Sequence, residues 1–184
     1  MPFEFRRLDK LPELVLIEPR VFTDERGWFA EGYKRSDFEK EGIGYSFPQD
    51  NQSYSQARGT LRGLHFQRMP AVQGKLVRCL VGEVLDVAVD IRVGSPTYGE
   101  WEGVSLSAEK QRILWIPPGF AHGFQTLTDD ALVWYKVTCE YSALHERSIR
   151  WDDPTLRIKW PLQNPVLSEK DRKGIRLSQA EVYE

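Results

Sequence analysis

The sequence predicts a single all-β domain, built as an antiparallel sandwich, jelly roll or barrel. Three observations lead there. Short apolar runs recur at roughly regular spacing with turn residues between them. In one of them Leu85, Val87, Val89 and Ile91 alternate with Asp86, Ala88, Asp90 and Arg92, the period-2 pattern of a half-buried strand. Helix signatures are confined to two short stretches, and no internal repeat, low-complexity tract or linker composition divides the 184 residues.

Taken in order, the N-terminal "MPFEFRRLDKLPELVLIEP" carries charges throughout and no apolar stretch of signal-peptide length. "TDERGWF" at 23–29 reads as a turn followed by aromatics, with Arg26 most simply solvated. "SDFEKEG" predicts a short helix, with Ser36 as N-cap, Glu39 three residues later and Gly42 as the stop. "PQDNQS" clusters Gln49, Asp50 and Asn51, either a turn or an amide set that recognises a ligand. "GTLRGLHFQ" is a strand with unusual polarity, holding Arg62, His65 and Gln67. "LVRCLVGEVLDVAVDIR" predicts a hairpin with its turn at Gly82 and Glu83. "RILWIPPGFAHGFQTL" is strand, tight turn, strand, broken by Pro117, Pro118 and Gly119. "ALVWYKVTCEY" places Val133, Tyr135, Val137, Cys139 and Tyr141 on one strand face, where tyrosines by default pack with the hydroxyl at the rim. "LSEKDRKG" repeats the helix signature with Ser168 and Gly174.

Composition narrows the function classes. With 41% hydrophobic and 28% charged residues the chain has enough apolar material for a sizeable core. A net charge of −2 gives no general attraction to nucleic acid or an anionic membrane, so an anionic ligand must be met by local Lys and Arg clusters. Cys79 and Cys139 make no disulfide framework and read as buried free thiols of a reducing compartment. No run approaches membrane-span length. A soluble cytoplasmic protein is the expectation.

His65 leaves three readings open: metal ligand, proton-transfer base, or structural histidine. The chain's histidines are His65, His122 and His145, and none forms an H-x-H or H-x₃-H pair. Gln67 stands where the second ligand of an H-x-H pair would be, which weighs against a transition metal. A base needs a carboxylate to fix its tautomer, and the sequence alone does not choose one. Arg62 and Lys75 flank the same presumed hairpin, and an interior holding Arg, His and Lys requires an anionic ligand or internal carboxylates. In a regular strand the odd separation of Arg62 and His65 would send them to opposite faces. Gly63 permits a bulge that brings both to one side, and a straight strand here would contradict it.

Together, "FTDERGWFAE", "PQDNQSYS", "GTLRGLHFQ", "QGKLVRCLVGEVLDVAVDIR", "SPTYGEW", "LWIPPGFAHGF", "WYKVTCEY", "IRWDDP" and "LSEKD" resemble the dTDP-4-dehydrorhamnose 3,5-epimerase family, in the family's order and over nearly the whole chain. The resemblance implies a cupin-type jelly roll (a double-stranded β-helix) with a few short helices, filling 1–184 as one domain. It implies a homodimer, in which roughly residues 1–50 contribute to the interface and to the partner's active site. The implied reaction inverts carbons 3 and 5 of a nucleotide-linked 4-keto-6-deoxyhexose without metal or organic cofactor. Both carbons flank the ketone, so the site needs a base, an acid on the opposite face and a cation or donor near the ketone oxygen.

Residue by residue, the resemblance implies that His65 of "RGLH" is the base and Asp171 of "KD" its carboxylate partner. Tyr135 of "YK" returns a proton, and Lys75 of "GKLVR" steadies the enolate oxygen. Arg62, Gln49, Asp50, Asn51, His122, Glu146 and Lys170 line the sugar and diphosphate, and Tyr141 stacks on the thymine ring. Arg26, Phe29 and Glu31 match residues the family supplies from the partner subunit. Departures are Gln52 where histidine is frequent, beside the substrate, and Ala143 and Ser148 where proline and glycine are common. The rival expectations are a single-carbon epimerase or keto-isomerase of a related nucleotide sugar, a metal-dependent cupin oxygenase, and a non-catalytic sugar-binding jelly roll.

Overall fold

The computed structural model describes residues 2–182. Among them the chain runs through β1 (Phe3–Arg7), β2 (Val15–Pro19), β3 (Val21–Asp24), β4 (Gly27–Ala30), α1 (Arg35–Lys40), β5 (Gln49–Ser55), β6 (Leu61–Gln67) and β7 (Lys75–Val81). It continues through β8 (Glu83–Asp90), β9 (Trp101–Ser107), β10 (Ile113–Ile116), β11 (Phe120–Thr126), β12 (Ala131–Val137), β13 (Glu146–Ser148) and α2 (Glu169–Arg172). A six-stranded sheet has the order β1-β2-β10-β7-β12-β5, and a five-stranded sheet the order β13-β6-β11-β8-β9. The hairpin β3–β4 forms a sheet of its own. The two large antiparallel sheets face each other as a cupin-type jelly roll, as the resemblance implies.

The core lies between the sheets. Leu16, Val77, Cys79, Leu114 and Val133 from one sheet meet Val84, Ala88, Leu106, Phe120 and Phe124 from the other, all buried. Two further apolar clusters cover the outer faces. The C-terminal segment lays Leu156, Trp160 and Leu177 over Leu61, Leu64, Val87, Val89 and Ile91. On the other side Phe38 and Ile43 cover Phe3, Val15, Ile17, Leu76, Ile113 and Trp115.

The structure corrects five sequence expectations. Gly82 and Glu83 do not close a hairpin: β7 belongs to the six-stranded sheet and β8 to the five-stranded one, so the chain crosses between sheets there. Only glycine suits the corner, because at φ +74° a Cβ on Gly82 would lie 2.2 Å from the Thr128 hydroxyl. Likewise β6 and β7 lie in opposite sheets, so Arg62 and Lys75 do not share a hairpin. The alternation in β8 is not that of a half-buried strand, since Asp86, Val87, Ala88, Val89 and Asp90 are all buried. Helix α1 is capped at Lys34 with no side-chain hydrogen bond, so Ser36 lies inside the helix. Cys79 is a buried free thiol, whereas Cys139 lies beyond the end of β12 and is only half-buried. The second helix signature matches the structure: the Ser168 hydroxyl caps α2 by accepting from the Asp171 amide.

Candidate active site

The polarity of β6 is resolved by a bulge. His65 pairs with His122 and Arg62 with Phe124, so three steps along β6 match two along β11. Gly63 sits at φ +134°, and a Cβ there would approach the Gly123 Cα to 2.5 Å. The extra residue turns Arg62 and His65 onto one cavity, together with Lys75, Tyr135 and His122. The Arg62 guanidinium donates to the Ser55 hydroxyl at 3.1 Å and to the Tyr54 carbonyl at 2.9 Å, which braces it against β5.

Helix α2 supplies the carboxylate. Asp171 is 3% exposed, and its Oδ1 lies 2.6 Å from His65 Nε2. The Gly63 amide donates to the same oxygen at 3.3 Å, and the Ser168 hydroxyl donates to Oδ2 at 2.6 Å. Burial alone would raise the Asp171 pKa, but the bonds from His65 and Ser168 outweigh it and hold the carboxyl below its ordinary range. Asp171 is therefore an anion at neutral pH, able to orient His65 and stabilise its cation.

A second chain of polar groups crosses the barrel. Asp86 of β8 accepts from His122 Nε2 at 2.9 and 3.0 Å, and His122 Nδ1 lies 3.3 Å from Lys75 Nζ. Burial pushes the His122 imidazole down, Asp86 pulls it up, and Lys75 adds to the lowering. A neutral imidazole that donates to Asp86 presents its lone pair to the ammonium. Burial also lowers Lys75 to about 8 despite Asp86 and Glu146. The ammonium lies 5.8 Å from the Tyr135 ring centroid. Burial raises the Tyr135 hydroxyl, with Arg62 opposing, so the phenol stays protonated at neutral pH.

Two adjoining cavities, about 230 and 290 Å³, share His65, Lys75, Tyr135 and Glu146. Gln49, Asn51 and Tyr141 line the outer one, and Lys170 and Asp171 the inner one. Glu146 accepts from the Tyr141 hydroxyl at 2.8 Å and is ion-paired with Lys170. Burial works against the Glu146 charge, yet Lys170 and Tyr141 hold its pKa below the usual carboxylate range.

The structure thus gathers His65, Asp171, Tyr135, Lys75, Arg62, Gln49, Asn51, His122, Glu146, Lys170 and Tyr141 around one cleft. Asp50 is not among them. Gln49, Asn51, Ser53 and Ser55 alternate inward along β5, whereas Asp50, Gln52 and Tyr54 point outward. Asp50 is ion-paired with Lys136 at 2.7 Å on that outer face. The same alternation takes Gln52 away from the cleft, against the expectation that it lies beside a substrate. Arg26, Phe29 and Glu31 do not line the cleft of their own chain: the first two belong to the exposed β3–β4 hairpin, where Arg26 is bonded to Asp24 and Phe29 is 65% exposed. Ser148 sits opposite His65 in the β6–β13 register, and Ala143 is exposed.

Sequence reasoning missed Asp86, Ser53, Ser168 and Gln73 as parts of the site. A lone aspartate inside "VLDVAV" was a usable signal for Asp86, and the β5 alternation for Ser53. Among the described residues no three of His, Cys, Asp and Glu converge as a metal site.

Comparison with known proteins shows the family. The family model for dTDP-4-dehydrorhamnose 3,5-epimerase matches residues 9–179. A dTDP-4-dehydrorhamnose 3,5-epimerase of Pseudomonas aeruginosa is 55% identical over 175 residues, 94% of this chain and 96% of the relative. The crystal structure of dTDP-6-deoxy-D-glucose-3,5-epimerase from Legionella pneumophila, in complex with dTDP-4-keto-L-rhamnose, superposes with a TM-score of 0.93 at 48% identity, over 97% of this chain and 95% of that one. The dTDP-4-dehydrorhamnose 3,5-epimerase of Bacillus anthracis, solved with TDP and pyrophosphate bound, gives 0.92 at 45% identity, over 95% and 99%.

Proposed function

The chain belongs to the dTDP-4-dehydrorhamnose 3,5-epimerase family, and from that premise we propose how it inverts carbons 3 and 5 of a dTDP-linked 4-keto-6-deoxy-D-glucose. One observation carries the reading. His65 of the five-stranded sheet and Tyr135 of the six-stranded sheet line one cleft, and Lys75 lines it with them, an arrangement that supports a base and an acid working from opposite sides.

Epimerisation removes a proton from one face of a carbon and returns one to the other. The ketone at carbon 4 makes the protons at carbons 3 and 5 acidic, because either carbanion delocalises onto the ketone oxygen. His65 donates its Nε2 hydrogen to ionised Asp171, which leaves the basic lone pair on Nδ1. It takes the proton, and Asp171 stabilises the imidazolium. Lys75, cationic below about 8, neutralises the developing enolate oxygen. Tyr135, kept protonated by its surroundings, delivers a proton from the far side. None of these steps calls for a metal or an organic cofactor.

Arg62 and Lys170 offer cationic contacts for the diphosphate, and Tyr141 offers a stacking face for the base at the outer cavity. The exposed Val21, Phe22, Trp28 and Phe29 of the β3–β4 hairpin support a homodimer that covers them and carries Arg26, Phe29 and Glu31 to the second subunit's cleft. Sedimentation equilibrium checks this, with a monomer contradicting it. No helix among the described residues is long and apolar enough to cross a membrane. We propose a cytoplasmic enzyme whose product serves a cell-surface polysaccharide.

The function is tested with dTDP-4-keto-6-deoxy-D-glucose as substrate and proton NMR of the product. Ring couplings of the L-rhamno configuration are expected. Inversion at carbon 3 alone would instead identify a single-carbon epimerase.

A further inference from the structure

The segment that carries Tyr141 belongs to no strand and is held by glutamine side chains. Gln73 Nε2 donates to the Cys139 carbonyl at 2.7 Å, and Gln67 Nε2 to the Glu140 carbonyl at 3.3 Å. The Tyr141 amide donates to Gln49 Oε1 at 2.8 Å, and the Ser142 amide to Gln67 Oε1 at 2.6 Å. Four consecutive residues therefore each have a backbone group tied to a glutamine from β5, β6 or the connection after β6. All three glutamines line the same outer cavity as Tyr141.

We propose that Gln67 and Gln73 are positioning residues that fix Tyr141 as a rigid stacking wall for the nucleobase. This rests on the reading of Tyr141 as the base-stacking aromatic and names what holds it in place. Gln67 is buried, and its amide nitrogen also donates to the Ala71 carbonyl at 2.7 Å. One planar amide thereby bonds three backbone groups, which neither a carboxylate nor an alkyl side chain can do. The far end of Tyr141 is fixed as well, because its hydroxyl donates to Glu146, which Lys170 holds in turn. The ring is 54% exposed yet anchored at both ends. An exposed tyrosine in a free loop would have to be ordered by its ligand, whereas here that ordering is complete beforehand, and preordering of this kind appears in affinity.

The test is a calorimetric binding series with two probes, dTDP and inorganic pyrophosphate, which lacks the base. Tyr141→Ala is expected to weaken dTDP by about fivefold or more, the usual range for loss of one stacked base. Gln67→Ala and Gln73→Ala are each expected to weaken dTDP about fivefold, the equivalent of one net hydrogen bond. Pyrophosphate affinity should hold within about twofold, as expected for contacts that reach only the base. In a Tyr141→Ala background the Gln73→Ala effect should largely vanish, since two residues acting through one contact are non-additive. With the full substrate, KM rises more than kcat falls. Full additivity, or an equal loss of pyrophosphate affinity, would overturn the positioning role and leave the stacking reading standing. If Tyr141→Ala leaves dTDP affinity unchanged, the stacking reading fails and the proposal with it. Gln73 is half-buried and its side chain makes one hydrogen bond among the described residues, so its variant carries the test if Gln67→Ala does not fold.

Discussion

Burial works against the charge on Asp171, and three hydrogen bonds keep that charge in place. The proposed mechanism uses the charge itself, so Asp171→Asn should keep the shape of the site and lose its rate. A fall in kcat of about 10²–10⁴-fold is expected from steady-state kinetics, the range typical of an impaired general base. A change below about threefold would remove Asp171 from the mechanism. Lys75 makes a different prediction. Its burial lowers the ammonium to about 8, so the cation is present below that value and lost above it. The kcat/KM profile of the free enzyme should therefore descend as pH rises through about 8. Lys75→Arg, charged throughout this range, should lack that descending limb while working more slowly.

At the scale of elements the site depends on the β6 bulge and the docked α2 helix. Gly63→Ala places a side chain at φ +134° and 2.5 Å from the Gly123 Cα. A loss of about 1–3 kcal/mol in stability is expected, from the cost of holding a non-glycine residue in that conformation. Denaturant unfolding measures it, and activity should fall further because Arg62 and His65 no longer face one cleft. The bulge was legible in the sequence because a glycine separated two polar residues whose parity was wrong for one face. The α2 cap was legible for a similarly local reason, a serine three residues before Asp171. The course of the chain after β7 was not. A Gly-Glu pair shows that the chain turns, but the packing of the two sheets decides whether the next strand pairs with the last or crosses to the opposite sheet. Reading β8 as half-buried failed for the same reason, and it hid Asp86, whose partner His122 comes from β11. The motif "PQDNQS" groups Asp50 with its neighbours, although strand alternation turns it from Gln49 and Asn51.

On the scale of the molecule, a jelly roll that opens a polar cleft between its sheets needs firm polar ties elsewhere. Asp90 is one: it is fully buried and accepts from the Arg92 guanidinium, Ser95 and Thr97 at 2.6–2.9 Å. Burial would raise its pKa, but these donors outweigh that and hold it at about 2. Because the folded value lies below the unfolded 3.8, the contribution to stability is complete above about 4 and lost as pH falls through about 2. It amounts to about 2 kcal/mol, and denaturant midpoints should fall over that window and fall less in Asp90→Asn. The central claim concerns the whole reaction, with His65 and Tyr135 serving opposite faces of one sugar. It is tested most directly by incubating wild type and Tyr135→Phe with dTDP-4-keto-6-deoxy-D-glucose in deuterated water and locating deuterium by NMR. Wild type should incorporate deuterium at carbons 3 and 5, while Tyr135→Phe should exchange at one carbon and yield no doubly inverted product. Double inversion at the wild-type rate by Tyr135→Phe would contradict the account.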